Sequence, residues 1–201
     1  MIMQISEKDI RRNIKKRACR IFSNYKDSTA LIEELELQRG ESRIDMVFIS
    51  NVTIGIEIKS PKDNLSRLTK QSLIYSKYFD YVILVIDSKF FDQAKDIIPN
   101  WWGLVSVSLV KGRVFCKLLK RPALNPNVEI EALLELLWKN ELLEILEKYT
   151  NYKSKKSFTR ADLRQLIVKD SIHNSDLKKE CLEIMLGRKT WRSSLVSDLD
   201  C

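Results

Sequence analysis

The sequence predicts an α/β protein in which a mixed β-sheet flanked by helices is followed by an α-helical extension. Apolar residues alternate with polar ones through much of residues 31–60, which is the period of strands with one buried face. Residues 81–87 form an apolar run typical of buried parallel strands, and Leu and Ile recur at helical spacing after residue 128. We place a sheet domain at residues 1–122 and the helical extension at residues 123–201, with Asn125-Pro126-Asn127 as the linker.

The first element is a predicted amphipathic helix from Glu7 to Ser23. Its apolar residues have helical spacing, and six basic residues fill other positions: Arg11, Arg12, Lys15, Lys16, Arg17 and Arg20. A solvated helix face explains any one of them, whereas six on one short helix favour a phosphate-facing surface. We expect Arg12 and Lys16 to contact a nucleic-acid backbone.

A meander of three strands is predicted next, with a turn at residues 38–41 between the first two: Leu31 to Leu37, Arg43 to Ser50, and Thr53 to Ser60. In the second strand, Ile44, Met46 and Phe48 are expected on one face. In the third, Glu57 and Lys59 project from the same face because strand side chains alternate.

The remaining elements follow from apolar patterns and from turn or capping residues. Ser60 to Asn64 offers N-caps for a helix running to about Phe79, and Thr159 with Asp162 resembles a capping arrangement. Gly187 suits a helix end. The other predicted elements are a buried strand at residues 81–87, a short helix ending near Pro99, strands at 101–110 and 114–119 around the Lys111-Gly112 turn, and helical patterns at 128–149, 158–168 and 175–186.

Charge and length narrow the classes of function. The chain has 201 residues, 35 Lys and Arg against 27 Asp and Glu, and a formal net charge of +8, so an acidic partner such as nucleic acid is favoured. Apolar runs are far shorter than the roughly 20 residues of a membrane helix, and the N-terminus becomes charged before any apolar stretch. We expect a cytoplasmic protein with no membrane partner.

Cysteine and histidine usage argues against several kinds of catalytic site. The four cysteines form no CxxC pair, and His173 is the one histidine, in a polar stretch. Zinc sites, Ser-His-Asp hydrolases and histidine-metal nucleases are therefore disfavoured. Any catalysis must use carboxylates, Lys, Ser or Tyr.

An acidic constellation is the strongest functional signal. Asp45 is followed across a turn by Glu57-Ile58-Lys59, and two paired strands can bring Asp45 and Glu57 side by side. Hydrolysis of a phosphodiester needs a divalent cation, and Mg²⁺ prefers carboxylate oxygens. Taken alone, Glu-x-Lys is common on the wet face of a sheet. Glu34 and Glu36, expected to share one face of the preceding strand, strengthen the functional interpretation.

Cations and polar groups are predicted near the same edge. Arg43, Lys62 and Arg67 are candidates for phosphate contact, and Arg67, Gln71 and Tyr75 form one stripe of the helix after Pro61. A basic-aromatic cluster occurs near the end of the chain: Arg188, Lys189, Trp191 and Arg192. A docked tail is the ordinary explanation of that cluster, and nucleic-acid contact is the alternative.

Together these motifs resemble the PD-(D/E)XK, or restriction-endonuclease-like, nuclease superfamily, and most closely small bacterial and phage proteins with an RxD, ExK and RLxxQxxxY pattern. The resemblance rests on Arg43-Ile44-Asp45, on Glu57-Ile58-Lys59, and on Arg67-Leu68 with Gln71 and Tyr75, over roughly residues 5–110. It implies a restriction-endonuclease-like core with elements in αβββαβ order.

The resemblance also implies roles. Asp45 and Glu57 match the ligands of Mg²⁺ or Mn²⁺, Lys59 the lysine that activates water, and Glu34 an upstream acid that binds through water or to a second metal. Gln71 matches the glutamine that steadies the site. Ile44 replaces the proline of the strict motif, and Glu36 stays open as the upstream acid, although the spacing to Gly40 favours Glu34.

The leading hypothesis is therefore a Mg²⁺- or Mn²⁺-dependent endonuclease acting on DNA, with RNA left open by the residues. The alternative is a catalytically silent nuclease fold that binds nucleic acid or a protein partner. An acidic-cluster ribonuclease of another fold is a third hypothesis. We expect the helical extension to provide a homodimer or partner contact.

Overall fold

The computed structural model describes residues 5–21, 29–110, 113–150, 152, 157–170, 174–188 and 193–195. Its helices are α1 (Glu7–Ile21), α2 (Leu68–Tyr78), α3 (Phe91–Ile97), α4 (Ile130–Glu135), α5 (Lys139–Tyr149), α6 (Arg160–Asp170) and α7 (Asn174–Leu186). Its strands are β1 (Ala30–Leu37), β2 (Ser42–Ile49), β3 (Thr53–Lys59), β4 (Tyr81–Asp87), β5 (Gly103–Val110), β6 (Arg113–Lys120) and β7 (Ser193–Leu195).

The strands form one mixed sheet in the order β6-β5-β4-β3-β2-β1-β7. Strands β1, β2 and β3 pair antiparallel as a meander, β3, β4 and β5 pair parallel, and β6 and β7 pair antiparallel at the two ends. Helix α2 is the crossover between the parallel strands β3 and β4, as parallel pairing requires. The predicted mixed α/β architecture is therefore confirmed.

Helices cover both faces of the sheet. Ile10 and Ile14 of α1 pack with Met46, Phe48 and other strand residues in one apolar cluster. On the opposite face, residues of α2 and α3 share a larger cluster with the strands and with α4 to α7. The helical extension therefore shares one hydrophobic core with the sheet. Its division from residues 1–122 as a separate domain stays a prediction.

Polar contacts fasten the extension to the sheet. The buried Asp80 carboxylate, just before β4, accepts hydrogen bonds from Thr53 and pairs with Lys178 of α7. The Tyr78 hydroxyl donates to Glu135 of α4 at 2.6 Å. Burial and the hydrogen bond to Glu135 raise the pKa of Tyr78, as expected for a phenol that donates to a carboxylate.

Two predicted helix boundaries are wrong. Helix α2 begins at Leu68 rather than at Ser60 to Asn64, because the Asp63 carboxylate accepts the backbone N–H and the hydroxyl of Ser60 at 2.7 and 2.6 Å and closes a separate turn. The pattern at residues 128–149 is two helices, because the Trp138 N–H donates to Glu141 at 2.6 Å and starts α5 anew.

Other predictions of local structure agree with the fold. Asp162 accepts hydrogen bonds from the Thr159 backbone and hydroxyl at 2.8 and 2.7 Å, so the predicted cap before α6 is confirmed. Gly187 follows the end of α7. Ser23, the Lys111-Gly112 turn and His173 lie outside the described residues.

Within the described part of the chain, every helix is too short or too polar to cross a membrane. The predicted cytoplasmic location stays a prediction.

Gly55 tests the packing between β3 and its neighbours. A Cβ atom there would lie 2.6 Å from Ile44 Cδ1 and 2.8 Å from Phe79 Cδ2. Gly55→Ala is therefore expected to lower the free energy of unfolding by about 1–3 kcal/mol in urea denaturation, because both neighbours must move. Gly187→Ala is the control, since its Cβ would meet atoms only at 3.5 and 3.6 Å. Equal effects of the two substitutions would contradict this packing.

Candidate active site

The candidate site forms where β1 and β2 interrupt the regular alternation of their side chains between the two faces of the sheet. Glu33 pairs with Met46 and Leu35 pairs with Ile44, which sets Glu34 opposite Asp45. Glu34 has φ +56°, a left-handed conformation that is strained for a residue with a side chain. The interruption brings the Glu34 and Asp45 side chains to the space between α1 and the sheet.

This interruption corrects a prediction about β2. Ile44, Met46 and Phe48 were expected on one face, but Ile44 packs in the cluster on the α2 side while Met46 and Phe48 pack under α1. Leu35 likewise shares the cluster of Ile32, three residues earlier, so β1 changes face as well. Simple alternation therefore fails at the positions of the site.

Asp45 lies where β2 and β3 separate. Their pairing runs from Ile49 and Thr53 to Met46 and Ile56, and in the same register Asp45 and Glu57 come next. At that point the Asp45 carboxylate, and not a backbone carbonyl of β2, accepts the Ile58 N–H at 2.6 Å. The sheet thus opens between the two acids that the sequence singled out.

Glu57 is held by three side chains on the α2 side of the sheet. Lys59 Nζ and Gln71 Nε2 each lie 2.7 Å from Glu57 Oε1, and the Tyr75 hydroxyl lies 2.8 Å from Glu57 Oε2. Glu57 is 3% exposed and Lys59 4% exposed. The structure therefore brings Glu57, Lys59 and Gln71 together, and their ion pair is shielded from water.

Tyr75 requires a correction. We predicted that it contacts nucleic acid, but it is 0% exposed and its ring stacks on Trp102. Its hydroxyl lies within hydrogen-bond distance of Glu57 and of the Arg43 carbonyl, at 2.8 and 2.9 Å. Burial and the Glu57 carboxylate raise the pKa of Tyr75, so it stays protonated and can donate. Tyr75 positions Glu57.

Arg11 belongs to the site, although sequence reasoning did not single it out as part of it. Its Nη2 lies 2.7 Å from both Glu7 Oε1 and Asp45 Oδ1, and it also contacts Glu34. Its Nη1 donates to the Asp45 carbonyl at 2.9 Å. The Glu7-Arg11 spacing on α1 is visible in the sequence, but the contacts with Glu34 and Asp45 depend on how α1 packs.

Three carboxylates are close enough to share a cation. Glu7, Glu34 and Asp45 each offer an oxygen atom, and these atoms lie within 4.8 Å of one another. Oxygen donors of this kind suit a hard divalent cation such as Mg²⁺ or Mn²⁺. Gln71 Oε1, in the same cavity, is buried and has no hydrogen-bond partner among the described residues. The donor set therefore fits such a cation: it contains the predicted ligands Glu34 and Asp45 and adds Glu7, whereas the predicted ligand Glu57 is not part of this cluster.

The cavity over these groups has a volume of about 400 Å³ and a charged rim. Arg43 pairs with Glu34 at 2.7 Å and is 62% exposed, and Arg67 also lines the cavity. Lys62 is exposed but does not line it, and Arg12 and Lys16 lie exposed on α1. Glu36 is exposed on the rim, whereas Glu34 lies beside Asp45, so the geometry favours Glu34 as the upstream acid.

The basic-aromatic cluster near the end of the chain is described only at Arg188. Its guanidinium is buried, pairs with Glu141 at 2.5 Å, and lies 4.4 Å from the Trp138 ring centroid. Arg188 therefore fixes the extension and is not a free phosphate contact. Lys189, Trp191 and Arg192 lie outside the described residues.

Burial and the neighbouring Glu57 carboxylate raise the pKa of Asp45 to about 7, although the Ile58 N–H and Arg11 act in the opposite direction. An acid that is costly to ionise in the folded protein is a group whose charge a bound cation would stabilise.

Comparison with known proteins gives a family and two individual matches. A family model described as bacteriophage P4 protein cII matches residues 4–199. Protein cII of Enterobacteria phage P4 is 25% identical over 119 residues, which is 59% of this chain and 45% of that protein, so the match spans less than half of the relative. A solved structure, a protein of unknown function from Silicibacter pomeroyi, aligns over 95% of this chain and 99% of its own, with 13% identity and a TM-score of 0.41.

The pKa of Asp45 makes stability depend on pH. Because the folded value of about 7 exceeds the unfolded value of about 3.9, ionising Asp45 destabilises the fold progressively from pH 4 to 7 and fully above it. Asp45→Asn removes this cost. We expect its gain in unfolding free energy over wild type to be roughly 1–3 kcal/mol larger at pH 8 than at pH 5, measured by urea denaturation.

Asp96→Asn provides the control, because Asp96 is exposed on α3, and its effect should not differ between the two pH values. A gain for Asp45→Asn that is equal at both pH values, or larger at pH 5, would contradict the raised pKa.

Proposed function

The chain belongs to the bacteriophage P4 protein cII family, and we propose that it is a Mg²⁺- or Mn²⁺-dependent nuclease that hydrolyses phosphodiester bonds, DNA before RNA. One observation carries the proposal. Asp45 and Glu57 occupy opposite positions in the register of β2 and β3 where these strands separate, both line the same cavity, and the Lys59 ammonium lies 2.7 Å from Glu57. Two acids and a lysine in this relation suit metal-assisted hydrolysis of a phosphodiester.

The order of elements supports a restriction-endonuclease-like core. Helix α1, the meander β1 to β3, the crossover helix α2 and the parallel strand β4 follow the αβββαβ order that the sequence motifs imply. Because a fold alone does not establish activity, the proposal depends on the site residues rather than on this order.

Asp45 and Glu34, with Glu57 or Glu7, are the carboxylates that would hold the cation. When bound, the cation supplies Lewis acidity at the phosphate and lowers the pKa of the attacking water. Lys59 orients that water through its ammonium and stabilises the negative charge that develops on the phosphate oxygens. Gln71 and Tyr75 fix the Glu57 carboxylate, so that it does not rearrange when substrate arrives.

Exposed cations would seat the substrate. Arg12 and Lys16 extend from α1, and Lys62 and Arg67 lie in the segment after β3. Such side chains hold phosphates without reading sequence, which suits a backbone contact. Recognition of a 2′-hydroxyl leaves no sequence signature, so the choice between DNA and RNA is left to the assay below.

A nucleic-acid-binding or partner-binding module without catalysis is the second candidate. Two observations favour it: both oxygens of Glu57 have hydrogen-bond partners, and Arg11 already contacts the other carboxylates. A homodimer or protein partner bound through the helical extension belongs to either proposal.

Cleavage is the decisive test of the nuclease proposal. Supercoiled plasmid, linear duplex, single-stranded DNA and RNA should be incubated with Mg²⁺, with Mn²⁺ and with EDTA. We expect metal-dependent cutting that Glu57→Gln, Asp45→Asn and Lys59→Met each reduce by roughly 10²–10⁴-fold, because each removes a group that acts on the reacting phosphate or its cation.

Glu36→Ala is the matched control, since it removes an exposed acid from the same rim and should retain the parental rate. A folded Glu57→Gln protein that cuts as fast as wild type would refute the assignment. No cutting by wild type with nucleic-acid binding intact would instead support the binding module.

Salt dependence tests the role of α1. Replacing Arg12 and Lys16 by Gln is expected to reduce the slope of log K against log [salt] by about 1–2 for duplex DNA in EDTA, measured by fluorescence anisotropy, because fewer counterions are released. A Lys169 and Lys179 double replacement removes the same charge from exposed positions of α6 and α7 and should leave the slope unchanged. Indistinguishable slopes for wild type and the α1 double variant would exclude a backbone contact there.

A further inference from the structure

We propose that Arg11 occupies the place of the divalent cation and competes with it for Glu34 and Asp45. This inference rests on the proposed function, because it concerns the same carboxylates. It assigns to α1 a role beyond seating nucleic acid: the cation binds only when the Arg11 side chain moves.

The contacts of Arg11 are those of a counter-ion at the centre of a site. One nitrogen, Nη2, meets oxygens of Glu7, Glu34 and Asp45, the three carboxylates that are close enough together to share a cation. The side chain is 14% exposed, so its charge is poorly screened by water. An arginine that only covered the surface would not converge on all three.

The side chains around Arg11 carry more negative charge than positive charge. Four carboxylates lie within 4 Å of its guanidinium nitrogens: Glu7, Glu33, Glu34 and Asp45. Besides Arg11, Lys15 pairs with Glu33 at 2.6 Å and Arg43 pairs with Glu34 at 2.7 Å. Three positive charges thus face four negative ones, so the cluster keeps a net negative charge that attracts a further cation.

The two cations exclude each other. Mg²⁺ and Mn²⁺ require direct oxygen ligands in a compact shell, and the oxygens of Glu34 and Asp45 that would supply them already accept hydrogen bonds from Nη2. A guanidinium and a divalent cation at the same oxygens would also repel each other strongly at this depth.

Arg11 has other carboxylate partners available when the cation binds. Its Nε donates to Glu7 at 2.7 Å within the same helix, and Glu33 lies 3.7 Å from Nη1 on the side facing Lys15. A rotation of the side chain towards Glu33 keeps the guanidinium paired while releasing Asp45 and Glu34. The exchange therefore does not leave a buried charge without a partner.

Manganese affinity tests the inference without any cleavage assay. Mn²⁺ binding to wild type, Arg11→Gln, Lys8→Gln and Asp45→Asn should be measured by calorimetry or electron paramagnetic resonance, with the fold of each checked by thermal melting. Arg11→Gln is expected to bind Mn²⁺ at least about tenfold more tightly, because charge-assisted hydrogen bonds no longer compete. Lys8→Gln loses the same charge from an exposed position of the same helix and should change the affinity less than about twofold.

A second measurement uses the wild-type chain in case Arg11→Gln does not fold. The Arg11 Nη–Hη signals, assigned by their absence from the spectrum of Arg11→Lys, should shift and lose protection from exchange as Mg²⁺ is added, because the Nη groups donate to Glu34 and Asp45. An Arg11 signal that stays unchanged at saturating Mg²⁺ would overturn the inference.

The outcomes separate this inference from the proposed function. Mn²⁺ binding that Asp45→Asn abolishes, and that Arg11→Gln leaves unchanged or weakens, refutes competition while keeping the cation site. No Mn²⁺ binding to either wild type or Arg11→Gln overturns the cation site and the inference together.

Discussion

The hydrogen bond from the Ile58 N–H to the Asp45 carboxylate is the interaction on which the site depends. It replaces a backbone acceptor, so β2 and β3 stay attached although their ladder has ended. The opening holds Asp45 beside Glu57 and raises its pKa, because two acids then share a poorly hydrated space. The strained Glu34 in the neighbouring strand delivers a further carboxylate to the same opening. The interruption of the hydrogen-bond ladder between β2 and β3 is therefore what brings these acidic side chains together.

Helices α1 and α2 support this opening from opposite faces of the sheet. Helix α2 holds Glu57 from one face of the sheet through Gln71 and Tyr75, and α1 holds Asp45 from the other through Arg11. The helical extension lies further from the site and contacts it through Tyr78. The Tyr78 hydroxyl accepts the Gln38 N–H at 3.1 Å in the left-handed turn between β1 and β2 and donates to α4. The extension therefore helps to fix the rim of the site.

Much of this arrangement could be predicted from local pattern. Alternation placed Glu57 and Lys59 on one face, and helical spacing placed Gln71 and Tyr75 in one stripe, because both periods follow from backbone geometry. The full burial of Tyr75 and the role of Arg11 could not be predicted, since each depends on how elements distant in sequence pack. The change of face in β1 at Glu34 could not be predicted either, because the order of apolar residues does not show that Glu34 adopts a left-handed backbone conformation.

We propose that the opening between β2 and β3 is a divalent-cation site. Anomalous diffraction from a crystal grown with Mn²⁺ tests this, because the signal locates the metal independently of activity. We expect an anomalous peak within about 2.5 Å of carboxylate oxygens of Asp45 and at least one of Glu7, Glu34 and Glu57, with Arg11 withdrawn. A crystal saturated with Mn²⁺ that shows no peak there, with Arg11 still bound to Asp45, would contradict it.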